Sequence, residues 1–348
     1  MKTATLAVAT AGALLVLSAC SGAQTAGSPV LPASNASQTA GAAATFTAPQ
    51  LVQLTSFHEY NIPTKISQPY DITLGPDGNF WFTEQNGNKI GRITSNGSIT
   101  EFRAPDSASM PTGIAAGSDG NLWFSENQYG YLVRATTAGT MKRFHVAGDN
   151  AEPNELTSGP DKRLWFTLDF GNAIGALTPT TGTVSTYPLP HLNSHPQGIT
   201  TGPDGNLWFV EEVGNRVGRI TTAGKITEFN VPTAGSQPAG IATGPDHNLW
   251  FTESQGNHIG KITTTGTITE YKIKHGVDSE PMGIASGPHK LWFAEFSGNA
   301  ISSITTGGLV ARYGVPSPHS QPNGVVIGPG GLLWFTEFNG NRIGNFKP

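Results

Sequence analysis

The stretch SEPMGIASGPHKLWFAEF, residues 279–296, places Glu280 before a proline, Met282 two residues later and Glu295 just past a Trp-Phe pair. Two carboxylates with water-filled space between them suit a hard cation such as magnesium or calcium. Met282 cannot accept a proton and its thioether is a poor ligand for such an ion. The same script recurs along the chain with other residues in these places. Before the proline stand Gln68, Met110, Glu152, His195, Gln237, Glu280 and Gln321, and after Trp-Phe a glutamate recurs as Glu84, Glu126, Glu211, Glu253, Glu295 and Glu337. What recurs in every copy serves the scaffold, and what breaks the pattern is the better functional candidate. By that rule the recurring glutamates read as scaffold carboxylates, with Glu295 singled out because Glu280 accompanies it. Glu152 and Asp169 form a weaker pair, because WFTLDF shifts its acid by one residue, and such a shift turns a side chain to the other face of a strand.

Histidines sort the same way. His58, His145, His247 and His289 fall on outer strands or bottom turns, while His191, His195, His275 and His319 fall in top loops and His258 begins a third strand. His195, in the variable position before Pro196, is the candidate for substrate contact or proton transfer.

Positioning these side chains falls to a repeat. Seven tryptophans, at 81, 123, 165, 208, 250, 292 and 334, are spaced by 42 residues five times and by 43 once. A fixed period of this length marks a propeller or solenoid. Each copy holds four short β-rich runs between turn signals, as in QPAGIATGPDHNLWFTESQGNHIGKITTTGTITEYKI, residues 237–273. Four antiparallel strands make a propeller blade, so the expectation is all-β: seven four-stranded blades over residues 51–348. The last copy ends after its third strand, and LTSFHEYNIP, residues 54–63, looks like a fourth strand lacking the other three. The N-terminal strand should therefore complete the last blade and close the ring. The pre-proline segments and the acids after Trp-Phe then converge on one mouth, the top face, where a small-molecule or peptide ligand is expected.

Residues 1–19 have the form of a secretory signal, with Lys2 before LAVATAGALLVL, and LSAC ending at Cys20 resembles a lipobox whose cysteine is lipidated. The other reading is an ordinary secretion signal with a chance cysteine. Cys20 is the sole cysteine, so there is no disulfide framework. Residues 20–50 read as the lipidated cysteine and a flexible tether, uncharged and without apolar periodicity. The expected location is the cell envelope, at an outer membrane, touched only through the lipid. A net charge of -4 without a basic cluster argues against nucleic acid as partner, and a monomer is expected.

The repeats GPDGNLWFTE, GNKIGRIT and GKITEFNVPT closely resemble those of the virginiamycin B lyase, or streptogramin lyase, family of seven-bladed propellers. The resemblance spans roughly residues 55–348. It implies a carbon-oxygen lyase that opens a cyclic depsipeptide antibiotic at its ester by elimination, with magnesium as Lewis acid. It implies metal ligands at Glu280 and, with a less certain register, Glu295. The family's base falls on Met282, and a substrate-contacting histidine of the preceding blade falls on Ala239. His275, His195 and Glu155 are the candidates for a substitute base. The rival from another class is a non-catalytic envelope binding propeller, with Met282 as an apolar contact at the mouth. Lactonase-type propellers have six blades, which the seven tryptophans oppose.

Overall fold

The structure, a computed structural model, describes residues 56–148, 150–274 and 278–348. These form seven four-stranded antiparallel sheets, as the period predicts. Blade five shows how the repeat builds one: strands Pro238–Thr243, Leu249–Glu253, His258–Ile262 and Ile268–Lys272. The first turn is held by Asp246, which accepts the Trp250 indole N–H at 2.9 Å and the Asn248 amide at 3.3 Å. Trp250 is buried and stacks on Tyr271 of the outer strand, 5.4 Å between ring centroids. Phe251, on the other face, lies over Gly260, where a Cβ would stand 2.1 Å from the ring. That glycine is required by the close approach of the phenyl ring rather than by its backbone angles. All five residues of the second strand are buried, because neighbouring blades cover both faces of the sheet.

The ring closes as the sequence indicates. His58–Asn61 pairs antiparallel with Arg342–Phe346, with His58 opposite Asn345 and Asn61 opposite Arg342. It completes the sheet begun by Pro322–Ile327 and Leu333–Glu337. Glu59 of that strand also accepts from the Ser317 amide at 3.1 Å and hydroxyl at 2.8 Å, tying it to the chain between blades six and seven.

One irregularity recurs in every blade. The first strand carries a bulge after its proline, so that two residues oppose one on the second strand; in blade six Pro281 faces Glu295 and Ile284 faces Phe293. Bulges re-aim side chains. The bulged pairs are Tyr70-Asp71, Thr112-Gly113, Asn154-Glu155, Gln197-Gly198, Ala239-Gly240, Met282-Gly283 and Asn323-Gly324. Five of the second positions are glycine, and a Cβ on any of them would lie 2.5–2.9 Å from a backbone atom of the next blade. Blades one and three place carboxyl side chains, Asp71 and Glu155, where the others admit none.

Candidate functional site

Where each second strand ends, two successive residues take opposite directions. The recurring glutamate turns into the blade: Glu84, Glu126, Glu211, Glu253, Glu295 and Glu337 are fully buried. The residue after it faces the mouth. Gln85, Asn127, Asp169, Glu212 and Ser254 all line one cavity of about 340 Å³ at the top face. The residue before each proline is locked beside it: Asp169 N–H donates to the Glu152 carbonyl, Glu212 to His195 and Phe296 to Glu280. All seven pre-proline residues hold φ between 47° and 53°, a left-handed conformation repeated around the ring.

This geometry corrects the expectation that Glu280 and Glu295 share the mouth. Glu280 lines the upper cavity and accepts from the Ser297 hydroxyl. Glu295 lies inside the blade, where Arg312 Nε donates to it at 2.8 Å and the Ser302 hydroxyl donates to its other oxygen. Arginines hold Glu126 and Glu211 in the same way, at 2.6 Å from Arg143 and 3.2 Å from Arg216. In blade six the mouth-facing position after the glutamate is Phe296. The one-residue shift in WFTLDF, expected to weaken the blade-three pair, is what brings Asp169 to the mouth, with the blade interior taking Leu168 instead.

Blade six therefore does not suit magnesium. One carboxylate reaches the mouth, its neighbour is neutralised by a guanidinium, and among the described residues no three His, Cys, Asp or Glu side chains stand close enough to share an ion. Met282 and Ala239 line both the upper cavity and a smaller one of about 130 Å³ beneath it in the channel. His275 and Cys20 lie outside the described residues.

Polar chemistry gathers instead on blades three and four. His195 Nδ1–H donates to Asp169 Oδ1 at 2.7 Å, and the Phe170 ring packs edge-on against the imidazole at 4.9 Å. Gln197 donates to the other Asp169 oxygen and to Glu212, 3.1 Å each, and accepts from the Asn154 amide. The imidazole Nε2 has no partner among the described residues. Burial raises the carboxyl of Asp169, against the lowering pull of its His195 bond. Burial and then the Asp169 charge raise Glu212 and Glu152. Glu212 was missed in the sequence because WFVEEV carries two acids and the first matches the repeat.

Beneath them, Asp71 and Glu155 line the smaller cavity. Burial pushes Asp71 up to about 6, although its oxygens accept the amides of Ile72 at 2.7 Å and Ile114 at 3.0 Å. Burial and then the Asp71 charge push Glu155 well above the carboxylate range. Tyr70, which lines both cavities, meets the Phe338 ring at 6.3 Å, and Phe338 in turn meets Phe296 at 5.8 Å.

Comparison with known proteins agrees with this architecture. The model of the virginiamycin B lyase family matches residues 47–290 and 134–348. A crystal structure of selenomethionine-substituted virginiamycin B lyase from Staphylococcus aureus superposes with a TM-score of 0.79 at 37% identity, covering 83% of this chain and 98% of that one. A catalytically inactive histidine-to-alanine variant of the staphylococcal lyase, with quinupristin, matches equally, at TM-score 0.79 and 37% identity over the same shares. The virginiamycin B lyase of Bacillus licheniformis is 51% identical over 41 residues, a segment covering 12% of this chain and 14% of that one.

Proposed function

Because the chain belongs to the virginiamycin B lyase family, we propose that it is a carbon-oxygen lyase that opens a cyclic ester or depsipeptide by elimination, with His195 as the base. The observation that carries this reading is the Asp169-His195 pair, whose carboxylate lines the upper cavity: an imidazole whose Nδ1–H is fixed by that carboxylate and whose Nε2 is left to accept a proton. His195 removes the proton on the carbon alpha to the substrate carbonyl. The electron pair left behind forms the carbon-carbon double bond, the adjacent carbon-oxygen bond breaks, and the ester carboxylate departs without water being added. The Tyr70 hydroxyl and the side-chain amides of Gln85 and Asn127, all lining the upper cavity, are the neutral donors for the carbonyl oxygen. No step is routed through magnesium, since blade six lacks the donors. In this reading Cys20 carries a lipid, residues 21–50 are the tether, and the propeller works outside the cytoplasm at the cell envelope, as a monomer on a small ligand.

The test is to incubate the full chain with quinupristin and follow the product by mass spectrometry, beside the staphylococcal lyase as positive control. A linear product of unchanged mass is expected. A product one water heavier would mean hydrolysis, and an untouched ring would remove this substrate and favour the binding-propeller reading.

A further inference from the structure

The two acids at the ends of the second strands of blades three and four, Asp169 and Glu212, stand on neighbouring blades. At the same place the other five blades carry Gln85, Asn127, Ser254, Phe296 and Phe338, so only this pair puts carboxylates side by side. Like charges so placed oppose each other, and no lysine or arginine lines either cavity to offset them. What stands between them is Gln197, at the first position of the blade-four bulge. Blade three carries Asn154 at that position, and no other two neighbouring blades both carry a side-chain amide there.

Three hydrogen bonds fix the direction of the Gln197 amide. Its nitrogen donates to Asp169 Oδ2 and to Glu212 Oε2, 3.1 Å each, and its oxygen accepts from the amide of the buried Asn154. An ionised carboxylate only accepts, so the reversed amide would aim its oxygen at two carboxylates and its hydrogens at those of Asn154. Asp169 is thereby held at both ends, Oδ1 by His195 and Oδ2 by Gln197. Glu212 is held as well, because its backbone N–H donates to the His195 carbonyl at 3.0 Å. The contacts run in a closed loop from the His195 ring through Asp169, Gln197 and Glu212 back to the His195 backbone. Burial raises both carboxyls, and the Gln197 bond is among the contacts that pull them back down.

We propose that Gln197 is a positioning residue: its amide bridges Asp169 and Glu212, keeps both as hydrogen-bond acceptors, and through Asp169 locks His195 in the tautomer that leaves Nε2 bare. The proposal rests on the lyase reading and deepens it by naming what orients the base, but the orientation itself can be read without turnover. The titratable groups that face the two acids are His195, Glu152 and Tyr70, with Asp71 and Glu155 lining the cavity beneath. Without the bridge the two carboxylates are left to share a proton. A protonated Asp169 turns its O–H toward the imidazole, which then carries its own hydrogen on Nε2 and loses its place as base.

The test compares the full chain with Gln197→Met, which keeps the length of the side chain and removes its donors. Nitrogen-15 NMR of histidine-labelled protein at about pH 7 reads the His195 tautomer, the signal being identified by its loss in His195→Gln. The unsubstituted protein should show Nδ1–H with a bare Nε2, and Gln197→Met a mixture of the two tautomers. With quinupristin, kcat/KM of Gln197→Met should fall about tenfold at about pH 6 and recover toward about pH 9, where both acids are ionised without help. A residue that merely fills space would leave the tautomer alone and lower the rate equally at every pH. Should Gln197→Met fail to fold, Gln197→Glu keeps the shape and replaces the double donor with a third acid, so it should give the same mixed tautomer and the same loss at low pH. A single Nδ1–H tautomer in the substituted protein, a loss of rate that does not vary with pH, or an Nε2–H tautomer in the unsubstituted protein would each overturn the proposal. Failure of quinupristin to open counts against the lyase reading alone, and the tautomer still decides the role of Gln197.

Discussion

Replacing Glu253 by glutamine should stabilise the propeller at pH 7 and change little near pH 4. Glu253 is fully buried, and burial together with the nearby Glu270 charge pushes its carboxyl from 4.5 up to about 8. Between those two values the native state binds more protons than the unfolded chain, so stability falls as pH rises through the window. At pH 7 the unfolded carboxyl is ionised and the folded one is not, a gap of about 2.5 pH units at about 1.4 kcal/mol each, or ~3 kcal/mol. Relaxation and water entry lower that figure, so a gain of about 1–3 kcal/mol is expected, which is a rise of at least ~2 °C for a domain of this size. Glutamine keeps the shape and the hydrogen-bond donor of the protonated acid. The assay is thermal unfolding followed by circular dichroism from pH 4 to 9, with Glu295→Gln as the contrast. There the carboxylate is paired with Arg312 at 2.8 Å, and its loss leaves a guanidinium uncompensated in a half-buried place, so the substitution should destabilise at pH 7. If Glu253→Gln lowers the melting temperature equally at pH 4 and pH 8, the carboxyl is not held protonated and the reasoning is refuted.

Gly260→Ala should cost about 2–3 kcal/mol in chemical denaturation, because its Cβ meets the Phe251 ring at 2.1 Å in a packed sheet. Asp246→Ala should cost about 1–3 kcal/mol by leaving the Trp250 indole N–H unbonded. Partial burial works against the Asp246 carboxyl, but bonds from Trp250 and Asn248 hold it below the usual range, so its contribution is present above the unfolded pKa and disappears as pH falls through the folded one. On the lyase reading, His195→Gln should lower kcat/KM by about 10²–10⁴-fold in steady-state assays, whereas Asp169→Asn should lower kcat with a smaller change in KM by fixing the wrong tautomer. An unaltered rate in His195→Gln would remove it as the base.

The ring itself was legible because tryptophan spacing and turn chemistry recur seven times, and a repeat averages away local ambiguity. Closure by residues 58–61 was legible because one copy ran short at its end and a lone strand stood at the start. The site was harder. Along a strand, successive side chains face opposite ways, so one residue decides between mouth and blade interior, and Trp-Phe spacing alone does not say which residue faces the mouth. Glu295 carried the expected chemistry but the wrong parity. Asp169 and Glu212 had the right parity, and the signal that would have found them is variability: Gln85, Asn127, Asp169, Glu212, Ser254, Phe296 and Phe338 differ in all but one pair, as residues freed from scaffold duty do. The bulge hid Asp71 and Glu155 in a different way, since period-two patterning assigns no direction to an extra residue.

Closure also has a kinetic side. The bond from Arg342 to Asn61 joins residues 281 apart in sequence, and the Glu59-Ser317 bonds join residues 258 apart. Six blades are built from neighbours within about one repeat, while the seventh waits until both ends of the chain meet. Joining ends so distant is the slowest kind of contact to form, so the ring assembles blade by blade and shuts last. In reverse, four residues of outer strand on one sheet form the seam, and hydrogen exchange should begin there, at His58–Asn61, long before the tryptophan-bearing strands open.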